Sequence, residues 1–192
     1  MPLGFVPDSD PYIQTLGGPF FFNDPGRHPE TLRVEHLAKA LSHVNRFTGQ
    51  TFEPYSVGQH SVAVACVVWE RTKDPVKALQ GLLHDAAEAF LGDVSSPLKA
   101  ILGERYKALE RAALDSILIL HGLPTDLAPE VKDADLLLLA TEKRDLTPID
   151  PKPWKILEGF EPLPTKVVVW EPAFAAERFL EVFGNLNLAG DP

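Results

Sequence analysis

His84 and Asp85 stand side by side in the run Ala78-Leu79-Gln80-Gly81-Leu82-Leu83-His84-Asp85-Ala86-Ala87-Glu88. The run reads as an apolar helix. An ionised carboxylate there is costly unless it is paired or bound to a cation. One divalent ion between imidazole and carboxylate satisfies both side chains. Two further residues have the same character. His60 falls in the first turn of a helix predicted after Ser56, and Asp135 enters a helix just before Leu136-Leu137-Leu138-Leu139. Two imidazoles and two carboxylates suit one divalent cation, Mn, Co, Fe, Ni, Zn or Mg, with a second left open. The donor set does not choose among them. The other histidines, His28, His36, His43 and His121, read as surface or hydrogen-bonded residues. Taken alone, His60 would be read the same way.

Helices must position these groups. Leu32, Val34, Leu37, Ala40, Leu41 and Val44 recur with helical spacing. Ser56-Val57-Gly58-Gln59 has the form of a capping box, with Ser56 as N-cap and Gln59 reaching back. A helix from about Val57 to Arg71 follows. Asp74-Pro75 caps and opens the next, which should run to about Leu91 and stop at Gly92. On that single helix His84 and Glu88 are four apart and share a face. Ser96-Pro97 opens another helix, interrupted near Gly103. Glu104–His121 and Pro129–Leu146 are the next two, and Pro148 closes the second. Residues 148–164 are proline-rich and read as an extended surface loop. Thr165–Trp170 could be one short strand, and Pro172 to about Leu186 a last helix. The first ~30 residues read as irregular structure, or as a short hairpin around Gly17-Gly18. Phe20-Phe21-Phe22 should pin that segment to the core. The fold class is all-α: a compact bundle of six or seven helices.

Composition narrows the partners. The 192 residues are enough for one domain with a real core, and 45% are hydrophobic. The formal charge of -9 argues against a broad nucleic-acid surface. No apolar run approaches the ~18 residues of a membrane span, and no secretory signal is visible. A cytoplasmic location is the default. Cys66 is the sole cysteine, so neither a disulfide framework nor a cysteine zinc cluster is available.

His60, His84-Asp85 and Asp135 follow the H…HD…D order of the HD-domain metal-dependent phosphohydrolases. Asn45-Arg46-Phe47, Tyr55-Ser56-Val57-Gly58-Gln59-His60-Ser61, His84-Asp85-Ala86-Ala87-Glu88, Gly92-Asp93, Pro97-Leu98-Lys99, Ala134-Asp135 and Ala140-Thr141-Glu142-Lys143-Arg144-Asp145-Leu146 resemble the bacterial 5'-deoxynucleotidase branch and its phage-encoded relatives. The likeness covers roughly residues 30–147, within a single domain of residues 1–192 whose C-terminal extension is 148–192. It implies a bundle of the HD-domain type. Metal ligands would fall on His60, His84, Asp85 and Asp135. Glu88 and Asp93 would be catalytic carboxylates that orient water or shuttle a proton. Arg46 would clamp phosphate, Phe47 would wall the nucleoside where the family has tryptophan, and Lys99 matches a family lysine at the substrate.

The implied reaction is hydrolysis of a deoxynucleotide 5'-phosphate ester by a metal-activated water. Release of triphosphate from a deoxynucleoside triphosphate, for example dATP, is the alternative. That substrate asks for more cations, and Arg27, Arg33, Lys99 and Arg105 are the candidates. A nucleotide-sensing module without hydrolysis is the reading from another class. The bland alternatives are a solvated Glu88, an N-capping Asp93 and an Arg46 that caps a helix ending at Phe47. Arg144-Asp145 reads as a structural ion pair. Relatives of this type form dimers or larger rings, so a homo-oligomer is expected. Phe174, Phe179, Leu180, Val182, Phe183 and Leu186 on the last helix would serve that or simple core packing.

Overall fold

The computed structural model describes residues 10–190. Among them are eight α-helices: α1 (Val34–Leu41), α2 (Val57–Thr72), α3 (Pro75–Leu83), α4 (Glu88–Leu91), α5 (Ser96–Leu102), α6 (Glu104–Leu120), α7 (Pro129–Leu146) and α8 (Pro172–Gly190). The all-α expectation holds. A small antiparallel hairpin, β1 (Tyr12–Thr15) and β2 (Gly18–Phe21), precedes the helices and pairs Tyr12 with Phe21. It turns at Gly17, where a Cβ would stand 2.5 Å from His36 Nδ1 and 2.6 Å from the Glu30 carbonyl. Phe20 ties the hairpin down, stacked on Phe90 at 3.8 Å between centroids.

α2 and α3 are the central pair. Gly81 of α3 lets them approach, because a Cβ there would already touch Ala65 and Val68 of α2. Val64, Ala65, Val68, Ala78 and Leu82 fill that seam and are fully buried. α8 lies across α1, α2 and α3. It buries Phe179 and Leu186 in the core, while Phe174 and Leu180 remain exposed. α7 packs on α2 and α3 and completes the floor of the site. No helix of the described residues is long and apolar enough to cross a membrane.

Three local expectations are corrected. The helix predicted over residues 75–91 is two, α3 and α4, separated by a turn at 84–87. His84 Nδ1 donates to the Gly81 carbonyl at 2.8 Å, so that acceptor is taken up by a side chain rather than by the continuing ladder. Ala86 and Glu88 then bond back three residues, to Leu83 and Asp85, as tightened helix ends do. Second, Ser56 caps α2 by accepting from the Gln59 amide, but the Gln59 side chain does not reach back. It spans to the C-terminal segment, donating to the Val168 carbonyl and accepting from the Trp170 amide. Third, residues 165–170 are therefore extended without being a strand. Their backbone is bonded by the side chains of Gln59 and Asp145 instead of by a neighbouring strand. Asp145 is itself held by Arg144, whose guanidinium also bonds the Leu163 and Thr165 carbonyls. That pair clamps the chain after α7, as a structural ion pair would.

Candidate metal centre

His60 leaves the first turn of α2 fully buried. Its Nδ1 donates to Glu142 Oε1 on α7 at 2.6 Å. The carboxylate can only accept, so the proton sits on Nδ1 and Nε2 points the other way. His84, at the end of α3, repeats the arrangement. Its Nδ1–H is spent on the Gly81 carbonyl and its Nε2 turns toward His60. Both Nε2 atoms are buried and make no hydrogen bond. An orphaned buried nitrogen costs about 1–3 kcal/mol, and here two are aimed at one place.

Carboxylates converge on the same place. Asp135 Oδ1 on α7 is 3.4 Å from His60 Nε2. Asp85 Oδ2 is 3.2 Å from His84 Nε2 and 3.8 Å from His60 Nε2. His60, His84 and Asp135 form a group that could hold a metal ion, with donor atoms all within 4.8 Å of one another. The donors fit such an ion: two orphaned imidazole nitrogens, each fixed in orientation by an outer hydrogen bond, and carboxylates beside them. The fields agree with the geometry. Burial works against the Asp85 carboxylate, yet His84 and His60 hold it well below its usual range. Burial also opposes the Asp135 carboxylate, and His60 and His84 again hold it low. Burial and Arg46 work to lower the His60 imidazole, but Glu142 and Asp135 lift it to about 9, so a cation binding at Nε2 displaces a proton from it.

Arg46 is buried and spans the centre. Its Nε donates to Glu142 at 3.0 Å and its Nη1 to Asp85 at 3.3 Å. Burial would lower its pKa, but Glu142, Asp85 and Asp135 keep it firmly charged. It does not cap a helix, because α1 already ends at Leu41. The turn that follows Arg46 is unusual. Phe47 and Thr48 both adopt left-handed backbone, with φ of 56° and 51°. Two consecutive non-glycine residues in that region store strain of about 1–3 kcal/mol each. The conformation leaves Arg46 buried and Phe47 on the wall of an open cavity.

That cavity, of about 720 Å³, is lined by seven of the nine predicted site residues, while His60 and His84 lie behind Asp85 and Asp135 and do not line it. Arg46, Phe47, Asp85, Glu88, Asp93, Lys99 and Asp135 all line it. Glu88 reaches it from α4, beyond the turn, rather than from one continuous helix with His84. It is not a solvated carboxylate: it is 4% exposed and its Oε2 has no hydrogen-bond partner. Burial, then the charges of Asp85 and Asp93, push its carboxyl up to about 9. Asp93 does not cap α5; Ser95 is the N-cap and makes no side-chain cap bond. Lys99 lies 3.5 Å from Glu88 but is bonded more closely to Glu110, at 2.6 Å. Of the other cations named for a triphosphate, Arg27 pairs with Asp10 and Asp24, and neither Arg33 nor Arg105 lines the cavity. His28, His36, His43 and His121 lie outside it as well.

Four contributing residues were not anticipated from the sequence. Glu142 links His60 to Arg46 and is fully buried. Its signal is its place seven residues after Asp135, two turns along the same helix face. Lys132 pairs with Asp135 Oδ2 at 2.8 Å and lines the cavity mouth. Trp154 and Ile156 come from the proline-rich segment, which includes a short 3-10 turn at Lys155–Leu157 and folds back onto the cavity. Nothing in the sequence distinguishes them from ordinary loop residues.

A helical protein with a buried histidine–carboxylate centre at the floor of an open cavity is the class that fold and site define. The chain is 34% identical over 177 residues to the uncharacterized protein YfdR of Escherichia coli, spanning 92% of this chain and 96% of that one, and it belongs to the YfdR family. The uncharacterized protein RCAP_rcc00048 of Rhodobacter capsulatus is 34% identical over 111 residues, 55% of this chain and 56% of that one. No family model matches the sequence.

Proposed function

We propose that the protein is a metal-dependent phosphohydrolase of the HD type that cleaves the 5'-phosphate ester of deoxynucleoside monophosphates. The observation that carries this reading is the pair of buried, unpartnered Nε2 atoms of His60 and His84 beside Asp85 and Asp135. His60, His84, Asp85 and Asp135 would hold one divalent ion, with a second left open, and it would supply Lewis acidity to a phosphate oxygen and to water. The native metal is one of Mn, Co, Zn, Ni, Fe or Mg.

The chain's own groups have the remaining roles. Arg46 spends Nε and Nη1 on Glu142 and Asp85, which leaves Nη2 to donate to a phosphate oxygen at the cavity wall. Lys99 adds a second positive charge beside Glu88. Glu88, with its carboxyl held protonated near neutral pH, can donate its proton to the leaving 5'-oxygen. Asp93, on the same wall, is placed to orient water.

The charge balance of the cavity favours a monophosphate. Arg46, Lys99 and Lys132 face Asp85, Glu88, Asp93 and Asp135. A triphosphate would add several negative charges without Arg27, Arg33 or Arg105 to meet them. A homo-oligomer and a cytoplasmic setting accompany this reading.

The test is product analysis on deoxy- and ribonucleoside mono- and triphosphates with Mn, Co, Zn and Mg, beside His84→Ala and Asp85→Ala. Orthophosphate from deoxynucleoside monophosphates is the expected product. Release of intact triphosphate would replace this reading with the triphosphohydrolase. Nucleotide binding without turnover under any metal would leave a sensor.

A further inference from the structure

Trp154 is held in place although the core does not need it. It sits on the segment after α7, half-buried, outside the hydrophobic core. Its indole Nε1 donates to Asp150 Oδ2 at 2.9 Å. Asp150 is fixed in turn by accepting the Lys152 amide through its other oxygen. The Lys143 ammonium on α7 lies 4.9 Å from the centroid of the indole ring, a cation–π distance. This half-buried loop tryptophan is thus tied at both its edge and its face. Ordering it costs conformational freedom, and the ring it presents lines the cavity.

Phe47 faces it. The two ring centroids are 6.5 Å apart and the planes are inclined at 44°. That separation and tilt are those of an aromatic pair, so the two rings form one corner of the cavity wall. Phe47 is held there at the expense of left-handed backbone. Ile156 and Leu139 line the same cavity. The chemistry of the cavity is divided along α7. Asp135, Leu139 and Lys143 succeed one another at four-residue spacing on one face of that helix. Asp135 belongs to the charged centre and Lys143 to the aromatic end. Eight residues of helix separate them by about 12 Å, which leaves room for a pentose between a phosphate and a flat ring.

We propose that Trp154 and Phe47 form an aromatic jaw that takes the heterocyclic base of the substrate, so that the segment after α7 supplies base recognition. The jaw rests on the nucleotide reading of the site for its ligand. A flat ring can stack on the aromatic corner from the cavity side, and aromatic walls alone do not read Watson–Crick edges. Asp150 and Lys143 act as positioning residues for the indole.

Two probes separate the base from the rest of the ligand: dAMP and 2-deoxyribose 5-phosphate. In metal-free protein, dAMP should quench tryptophan fluorescence. Trp154→Phe should lose most of that quench and still bind dAMP by calorimetry. Trp154→Ala should lower the preference for dAMP over 2-deoxyribose 5-phosphate by about tenfold or more. A quench unchanged in Trp154→Phe, or a Trp154→Ala variant that keeps the wild-type preference, would overturn the jaw, as would wild-type protein that binds no dAMP. The hydrolase reading fails separately. Binding with the expected Trp154 dependence but no phosphate release under any metal would sink the hydrolase and keep the jaw. Phosphate release with an unaltered preference in Trp154→Ala would do the reverse.

Discussion

Glu142 Oε1 accepts a 2.6 Å hydrogen bond from His60 Nδ1, and the same carboxylate binds Arg46 Nε at 3.0 Å. All three groups are buried. Glu142 therefore sets the orientation of His60 and compensates a largely buried guanidinium. Burial works against the carboxylate, but Arg46 and His60 hold its pKa below the usual value. Removing one partner of a buried ionic network strands the other. Glu142→Gln should lower stability by about 3 kcal/mol or more, read by urea unfolding. Its metal affinity should drop by about 10–100-fold, as for other outer-shell partners of a ligating histidine. The double variant Glu142→Gln, Arg46→Met should recover part of the stability loss, because no unpaired guanidinium remains. A double variant whose losses simply add would show that Glu142 and Arg46 are not coupled.

His84, Asp85 and Asp135 stand out in the sequence because a carboxylate or imidazole in an apolar helical run has few other uses, whereas His60 is drawn in only by the H…HD…D order. Glu142 was not. It sits in the polar run Thr141-Glu142-Lys143-Arg144, which reads as a solvated helix end. Its spacing from Asp135 is the one hint, and that hint gains meaning when α7 is seen to pack on α2. The break after Leu83 was hidden for a different reason. Ala86 and Ala87 are strong helix formers, and the ladder changes where His84 takes the Gly81 carbonyl. Most helix limits were readable from proline, glycine and capping residues. The position of Trp154 depends on long-range folding of a loop, which no local pattern encodes.

Metal should act on stability as well as chemistry. With His60 and His84 orphaned at Nε2, the folded state offers a site that the unfolded chain lacks. Free metal at about one hundred times its dissociation constant adds about 2.7 kcal/mol, or roughly 5–10 °C in melting temperature for a chain of this size. The shift should vanish in His84→Ala and in Asp135→Ala, and EDTA should reverse it in wild type. An equal metal-induced shift in the variants would move the site elsewhere.

Gln59 holds residues 165–170 to the start of α2 through two hydrogen bonds, at 2.7 Å and 2.9 Å. Gln59→Ala leaves the Val168 carbonyl and the Trp170 amide without these partners. The expected loss is about 1–3 kcal/mol. Limited proteolysis should then cut between Thr165 and Trp170 faster than in wild type. Unaltered cleavage would mean that Arg144 and Asp145 suffice to hold the segment.

Glu88 should make the metal-free protein sensitive to alkali. Its carboxyl lies at about 9 in the folded state, raised by burial and then by Asp85 and Asp93, against an ordinary value of 4.5. The folded state thus keeps a proton that the unfolded chain has released. Its stabilising contribution is complete below about pH 4.5 and is lost as pH rises toward 9, where Glu88 must ionise beside two carboxylates. The slope for one proton is at most about 1.4 kcal/mol per pH unit. Glu88→Gln has no proton to lose. In EDTA, its melting temperature should increasingly exceed that of wild type between pH 5 and pH 9, and the gap should level off above that. Parallel profiles for the two proteins would show that Glu88 is ionised in the folded state at neutral pH, and would remove it as the proton donor to the leaving oxygen.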